Sequence, residues 1–547
     1  MNLLKTTTKL IGILVLICTC SHSEAKSKYD HLYINLPFSM PKVEAPVFRN
    51  NTVSVSDFGG QGNGYTLNTE AFKKAIDVLS KKGGGQLTVP AGVWFTGPIE
   101  LVSNINLHLD KNALILFSPD FKLYPLVNTV FEGLETRRCQ SPISAHNAEN
   151  VAITGEGSIN GSGEAWRPLK KEKVTDAYWK KVIKSGGVLK DPTYWFPSKS
   201  SVMGESISDS NVPRGIMTDS SWLAIKDFLR PVMINFIECT NVLLQGVLFE
   251  NSPCWNIHPL MCTNVIIDNI TVRNPNFAQN GDGIDVESCK NVLIVNSSFD
   301  VGDDAICIKS GKDKEGRKRA RPAENILVDN CKVFKGHGGF VVGSEMSGGV
   351  RNISVRNCQF LGTDVGLRFK SNRGRGGLVE NIFISDIYMF DIVTDSFLFD
   401  LYYGGKSASE SLEDGDVTPT AIQIPPVTIE TPSFRNIYIK NIVSRNARRA
   451  MFFNGLPEMK ISNINIENTI ITSKIGAMIC ESDGIKFKNV HIIQQSGAAL
   501  TLQNVSNFEL KDFTYPKNLP EVVKIIGKSE NIQLPATIEK DKIIGMK

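Results

Sequence analysis

Three acidic residues stand close together in a stretch otherwise rich in alternating β-branched residues. They are Asp282 in Asn280-Gly281-Asp282-Gly283, and Asp303 and Asp304 directly after Gly302. Crowded carboxylates raise one another's pKa and lose hydration, so a fold does not gather them for stability. Their usual use is hydrolysis, with one acid protonated and another ionised. Further along, Gly336-His337-Gly338 offers a titratable imidazole and Arg368-Phe369-Lys370 two cations.

The scaffold that must bring these groups together is a repeat. From about residue 240 the chain cycles through an Asn, alternating β-branched residues, and a second Asn or Asp. The first asparagines are Asn241, Asn264, Asn291, Asn325, Asn352, Asn381 and Asn436, spaced by 23, 27, 34, 27, 29 and 55 residues. The last spacing is close to two periods. Weaker copies start at Asn463 and Asn489, and earlier ones at Asn104 and Asn150. Short β-rich units at a period of about 20–30 residues mark a solenoid, here a parallel β-helix. A leucine-rich repeat would need a Leu-x-x-Leu-x-Leu frame, which is absent. Asparagine at a fixed phase suits left-handed corners between strands and can stack its amide from coil to coil.

Stacked coils lie about 4.8 Å apart, so residues of equal phase become neighbours. Counted from the asparagine that opens its repeat, Asp282 lies 18 residues on, Asp303 and Asp304 12 and 13, His337 12, and Arg368 and Lys370 16 and 18. One face of four consecutive coils then carries all six. Adjacent strand residues point to opposite faces, so Asp303 and Asp304 need an irregular backbone, which Gly302 permits. Asp285 and Glu287 read as acids satisfied by turns or solvent. His258 fits a cleft or a structural place equally well.

Around the repeat, Asn68-Thr69 can cap a helix with an apolar face of Phe72, Ala75, Ile76 and Leu79, stopped by Gly83-Gly84-Gly85. It would cover the open end of the solenoid, whose strand edges are otherwise unpaired. Residues 164–228 break the repeat and hold four of the six tryptophans: Trp166, Trp179, Trp195 and Trp222. They read as an insertion over one face, with most of the tryptophans forming its own small core. Residues 404–432 read as a second, polar insertion.

The chain of 547 residues carries a net charge of +4, too small to imply a nucleic-acid partner. Lys5 and Lys9, an apolar run over residues 10–18 and Ser23-Glu24-Ala25 read as a secretory signal over residues 1–25. A leader over 26–50 and a catalytic β-helix over 51–547 follow. Export to the periplasm or outside the cell is expected. Cys18 and Cys20 lack the small preceding residue that marks a lipid anchor, and no later run spans a bilayer. Nine cysteines remain after cleavage. Cys239, Cys262 and Cys289 each precede x-Asn-Val, and Cys331 and Cys358 each follow an Asn. A shared phase predicts free, buried thiols rather than disulfides, and no CxxC or His pair accompanies them as for a metal. Basic residues cluster at Arg368, Lys370, Arg373 and Arg375, and again over 312–321. Such local patches suit steering of a polyanion, although a solvated loop explains the second as well.

At the acids the sequence resembles the polygalacturonase-like glycoside hydrolases of family 28. That family carries Asn-x-Asp, Gly-Asp-Asp or Gln-Asp-Asp, Gly-His-Gly and Arg-x-Lys in this order. Here they stand as Asn280-Gly281-Asp282, Gly302-Asp303-Asp304, Gly336-His337-Gly338 and Arg368-Phe369-Lys370. Phe369 departs from the commoner Ile. The resemblance runs from about residue 50 to beyond 500, through Asp57-Phe58-Gly59, Val89-Pro90-Ala91-Gly92 and Thr154-Gly155-Glu156-Gly157. It implies a single-stranded right-handed parallel β-helix and an inverting hydrolysis of α-1,4-linked galacturonic acid in pectin. It needs no metal or cofactor, and a monomer is expected.

By residue, the resemblance implies Asp303 as the general acid and Asp282 with Asp304 as the pair that orients and deprotonates water. A wide carboxylate gap would hold that water. His337 would tune the acid, and Arg368 and Lys370 would bind a substrate carboxylate. Asn280 would also contact substrate, as would Tyr403, because family members place a tyrosine near there. Long loops and the stretch Gly343-Ser344-Glu345-Met346-Ser347-Gly348-Gly349 favour exo action. Three alternatives stay open: a rhamnogalacturonan or substituted-galacturonan hydrolase, a pectate lyase using calcium and an arginine base, and a non-catalytic β-helical surface protein.

Overall fold

The computed structural model describes residues 27–215, 218–406 and 424–545. The expected signal over 1–25 and the middle of the 404–432 stretch lie outside them. The chain winds as a right-handed parallel β-helix. A typical coil gives three short strands, such as Ile257–Leu260, Thr263–Asp268 and Thr271–Arg273. Each pairs in parallel with its counterpart in the next coil: Ile284–Glu287, Lys290–Val295 and Ser298–Asp300. From Val350–Leu361 onward the second and third strands run together as one bent strand.

The asparagines do what their phase predicts. All eleven repeat asparagines, from Asn104 to Asn489, have φ between 51° and 65°. The side chain has a short amide that tolerates this left-handed corner. Each amide then donates to the one below: Asn264 to Asn241, Asn291 to Asn264 and Asn325 to Asn291, each at 3.1 Å. Asn489 is out of phase. It donates to Asn468, the second asparagine of the previous repeat, because the coil between them is shorter.

One spacing means something other than the repeat suggested, and one insertion is as expected. The 55 residues from Asn381 to Asn436 are one coil, not two, since Leu378–Phe390 pairs directly with Ser433–Asn454. Likewise Glu149–Gly155 pairs directly with Thr240–Gln245 across the 164–228 insertion. Both insertions therefore leave the stack and return to the same coil.

The core is a continuous column of inward side chains. Phe369 is part of it, stacked on Phe399 with centroids 4.5 Å apart and edge-on to Phe340. This accounts for the departure from Ile: position 369 points inward, while Arg368 and Lys370 point out. The helix Thr69–Lys81 buries Phe72, Ala75, Ile76 and Leu79 over the first coils. Asn68 occupies its N-terminal flank, but its side chain makes no cap. It is buried and bonds instead to Gln61, Thr66 and Phe95. The leader packs Tyr29, Leu32 and Val43 on the outward residues Ala152, Leu243, Ile266 and Leu293 of four successive coils. All nine cysteines from Cys139 onward are buried, and the five that share a phase, Cys239, Cys262, Cys289, Cys331 and Cys358, are free thiols as that phase predicts.

The insertion builds three short helices and a three-stranded antiparallel sheet. Trp179 and Trp195 form its core with Leu169, and Trp166 packs edge-on to Phe121 and Tyr124. These three tryptophans are buried, so they serve packing rather than an open sugar platform. No described helix is long and apolar enough to cross a membrane.

Candidate active site

Register brings the acids together. Ile284 pairs with Ile306, so Asp282 and Asp304, each two residues earlier, share one rung. The amide N–H of His337 donates to the Asp303 carbonyl oxygen at 2.9 Å, which sets that pair on the next rung. Asp303 and Asp304 sit in a bend before the strand, and the Asp303 carboxylate accepts from the Asp304 amide. Gly302 is needed for space rather than for dihedral freedom. A Cβ there would lie 2.5 Å from the Pro275 carbonyl oxygen and 2.8 Å from that of Ala278.

One oxygen from each of Asp282, Asp303 and Asp304 lies within 4.8 Å of the other two. The expected wide gap is therefore absent: these nearest oxygens are closer than the ~6.5–9.5 Å usual for a water-holding pair, so an inverting reaction here would need its water seated beside Asp282 and Asp304 rather than between widely spaced carboxyls. Their spacing would suit a cation, but both Asp304 oxygens are already bonded, one to Arg368 Nη1 at 3.0 Å and one to Lys370 Nζ at 2.7 Å.

The three acids differ sharply in environment. Burial alone would raise the Asp304 pKa, yet Lys370, Arg368 and Lys309 outweigh it and hold the group well below the usual carboxylate range. Asp282 is also buried, forms no ion pair among the described residues, and faces Asp303 and Asp285, which the more distant Lys309 does not offset. Burial and those charges push it well above its ordinary value. Its Oδ1 has no hydrogen-bond partner among the described residues. Asp303 is the accessible member, and its Oδ1 lies 2.9 Å from His337 Nδ1. That bond raises the His337 pKa above 6.5. One acid is thus held ionised, one is driven neutral, and one shares its hydrogen bond with an imidazole.

Below the acids lies a buried ionic layer that periodicity alone did not expose. Lys309, 4% exposed, donates to Glu345 at 2.9 Å and lies 3.5 Å from Asp285. Burial opposes its charge, but Cys307, Glu345 and Asp285 keep its pKa well above the ordinary value. Glu287, also fully buried, takes His258 Nε2 at 2.9 Å and Arg319 at 2.7 Å. Asp285 and Glu287 are therefore not solvent or turn acids, and His258 is a buried support. Strand register carried the signal: Glu287 stands directly opposite Lys309.

The basic runs also differ from expectation. The 312–321 segment contains the helix Asp313–Arg319, and its arginines are paired: Arg317 with Glu430, Arg319 with Glu287 and Arg321 with Glu238. Arg373 pairs with Glu458, and Arg375 with Asp313. These charges join loops rather than steer a polyanion. Tyr403 remains half-exposed, its ring 4.8 Å from Lys370 Nζ and 5.8 Å from Arg368. Asn280 lines the site with its Oδ1 held by Arg230 Nη2 at 2.9 Å. Asn280, Gly302, Asp303 and His337 open on a cavity of about 430 Å³. The opposite wall is the insertion, through Pro168, Lys170, Lys173, Tyr194 and Glu205.

Residues 226–441, which contain the three acids, His337, Arg368, Lys370, Asn280 and Tyr403 but not the insertion, match the family model described as Glycosyl hydrolases family 28. A solved exopolygalacturonase from Thermotoga maritima is 35% identical, with a TM-score of 0.66 over 82% of this chain and 93% of that one. The chain belongs to glycosyl hydrolase family 28. Two further relatives share less of the sequence. The exo-poly-alpha-D-galacturonosidase of Dickeya chrysanthemi is 26% identical over 72% of this chain and 63% of its own length. The endo-polygalacturonase of Pectobacterium carotovorum subsp. carotovorum is 26% identical over 64% and 76%. As a family 28 member the chain is a glycoside hydrolase, and the acid cluster is where family 28 chemistry can be carried.

Proposed function

We propose that this chain is an exported exo-polygalacturonase that releases galacturonic acid from the ends of α-1,4-linked pectic chains, with inversion. The observation that carries the reading is the contrast among the three acids. Asp303 faces the cavity and would deliver a proton to the leaving oxygen, with His337 replenishing it. Asp304, held ionised by Arg368 and Lys370, would take the proton from an attacking water. Asp282 would orient that water through its unpartnered oxygen. Arg368, Lys370, Asn280 and Tyr403 would contact the sugar. The cavity wall formed by the insertion supports exo action, because a walled cleft admits chain ends rather than passing chains. The similarity to exo-acting relatives points the same way.

Chromatography of the earliest products from polygalacturonate and from rhamnogalacturonan tests this. Monogalacturonate appearing first, from polygalacturonate alone, is expected. A ladder of oligomers would refute exo action, and release only from rhamnogalacturonan would refute the substrate. Cell fractionation should find the protein outside the cytoplasm.

A further inference from the structure

We propose that Arg230 binds a substrate carboxylate and thereby selects uronic acids at the cavity beside Asp303 and His337. The inference rests on the hydrolase reading above and adds a residue to it. Arg230 is 3% exposed and lines the same cavity as the two site residues. Its Nη1 donates to the carbonyl oxygens of Pro253 and Gln279 at 3.1 and 2.9 Å. Its Nη2 donates to Asn280 Oδ1. All three acceptors are neutral. A guanidinium has five N–H donors, so the Nε–H and one Nη2–H are left over. The Nε is buried without a partner.

The neighbourhood makes the missing anion more conspicuous. Arg167 donates to the Ser252 carbonyl oxygen and Arg138 to Cys254 Sγ, so three buried guanidiniums converge on one turn. None of the three forms an ion pair among the described residues. Burial lowers the pKa of Arg138 and Arg167, Glu164 near Arg167 and Cys254 and Glu132 near Arg138 offset it only in part, and the charge of Arg230 lowers both further. Buried charge without a counter-ion is costly, and a fold normally pairs it. Of these three, Arg230 is the one on the wall of the catalytic cavity. Arg368 and Lys370, by contrast, are already bonded to Asp304. A carboxylate entering the cavity would supply the counter-ion, and the two spare donors suit its planar geometry. A neutral or esterified sugar would leave the cation unpaired.

The test is Arg230→Gln assayed on trigalacturonate and on its methyl ester. On the acid, kcat/KM should fall about 10- to 100-fold, mostly through KM, as expected for losing a charge-assisted hydrogen bond. On the ester it should stay nearly unchanged, so discrimination between the two shrinks. An equal fall on both substrates would overturn the proposal and leave Arg230 as a support for the Asn280 loop. No change on either would overturn it too. Should the variant fail to fold, the complex of the Asp303→Asn protein with trigalacturonate decides. A sugar carboxylate within about 3 Å of the Arg230 guanidinium is expected, and carboxylates resting only on Arg368, Lys370 or solvent would refute it. A wild-type chain that cuts neither substrate sinks the hydrolase reading itself. Galacturonate bound at Arg230 in that complex would still establish the carboxylate site.

Discussion

The two walls of the catalytic cavity are built on different principles. One wall is the stacked coils, where register places the acids and their partners His337, Arg368 and Lys370 one or two rungs apart. The other is the 164–228 insertion, which leaves the stack from one coil and returns to the same coil. It presents Lys170 and Lys173 to the cavity, and neither forms an ion pair among the described residues. On the proposed mechanism the two walls divide the labour. Regular stacking would set the distances and protonation of the reacting groups, and the irregular wall, with Arg230 beside it, would govern what enters. Chemistry should therefore fail abruptly when the acids of the coil wall are altered, and selectivity should drift when the insertion or Arg230 is altered.

The largest effect is expected at Asp303. Asp303→Asn keeps an acceptor for the Asp304 amide but removes the transferable proton. The turnover rate should fall by about 10²–10⁴-fold with oligogalacturonate binding retained, read by steady-state kinetics and calorimetry. Retained turnover would break the assignment. The imidazole beside it adds a pH signature. The His337 pKa is raised in the folded protein, so the Asp303–His337 contact is complete below about 6.5 and is lost as pH rises through the raised value. The alkaline limb of kcat should follow that value, and His337→Asn should flatten it. An unchanged limb would remove His337 from the mechanism.

The buried layer comes next. Lys309→Met leaves Glu345 and Asp285 without their cation in the interior. Removing one partner of a buried pair costs about 3–5 kcal/mol, which urea unfolding would reveal. A loss below about 1 kcal/mol, the scale of an exposed pair, would show that the layer does not depend on this lysine. Asn291→Ala tests the ladder itself. It removes the amide bonds to Asn264 and Asn325 and places alanine at φ 58°. A loss of about 1–2 kcal/mol is expected, and Asn291→Gly should recover part of it. The smallest effect belongs to the insertion. Lys170→Ala with Lys173→Ala should raise KM about 2- to 5-fold at low salt and hardly at all at high salt, because exposed charges are screened. A kcat effect instead would blur the distinction between the walls.

How much of this was legible in the sequence follows the same division. The asparagine phase predicted left-handed corners at all eleven positions, and counting from those corners brought Asp282, Asp303, Asp304, His337, Arg368 and Lys370 to one site. Period-two alternation also explains why Phe369 could change without disturbing its neighbours. What failed was whatever required knowing where a loop returns. The 55-residue gap looked like two coils because an excursion from one coil has no periodicity to betray it. Arg317, Arg319 and Arg375 looked free because their acids, Glu430, Glu287 and Asp313, lie far along the chain. Asp285 and Glu287 looked exposed because the ionic layer that absorbs them includes Glu345, 58 or more residues further along. Arg230 carried no sequence signal at all. Its importance comes from a partner that is missing, and only three-dimensional neighbours show that.

The most direct test of the chemistry follows the anomeric configuration of the first product. With trigalacturonate, proton NMR during the first turnovers should show β-galacturonate at the newly cut end, equilibrating slowly to the α form, because water held by Asp282 and Asp304 attacks the face opposite the leaving oxygen. Retention of the α configuration, or an unsaturated product, would contradict direct water attack by this acid cluster.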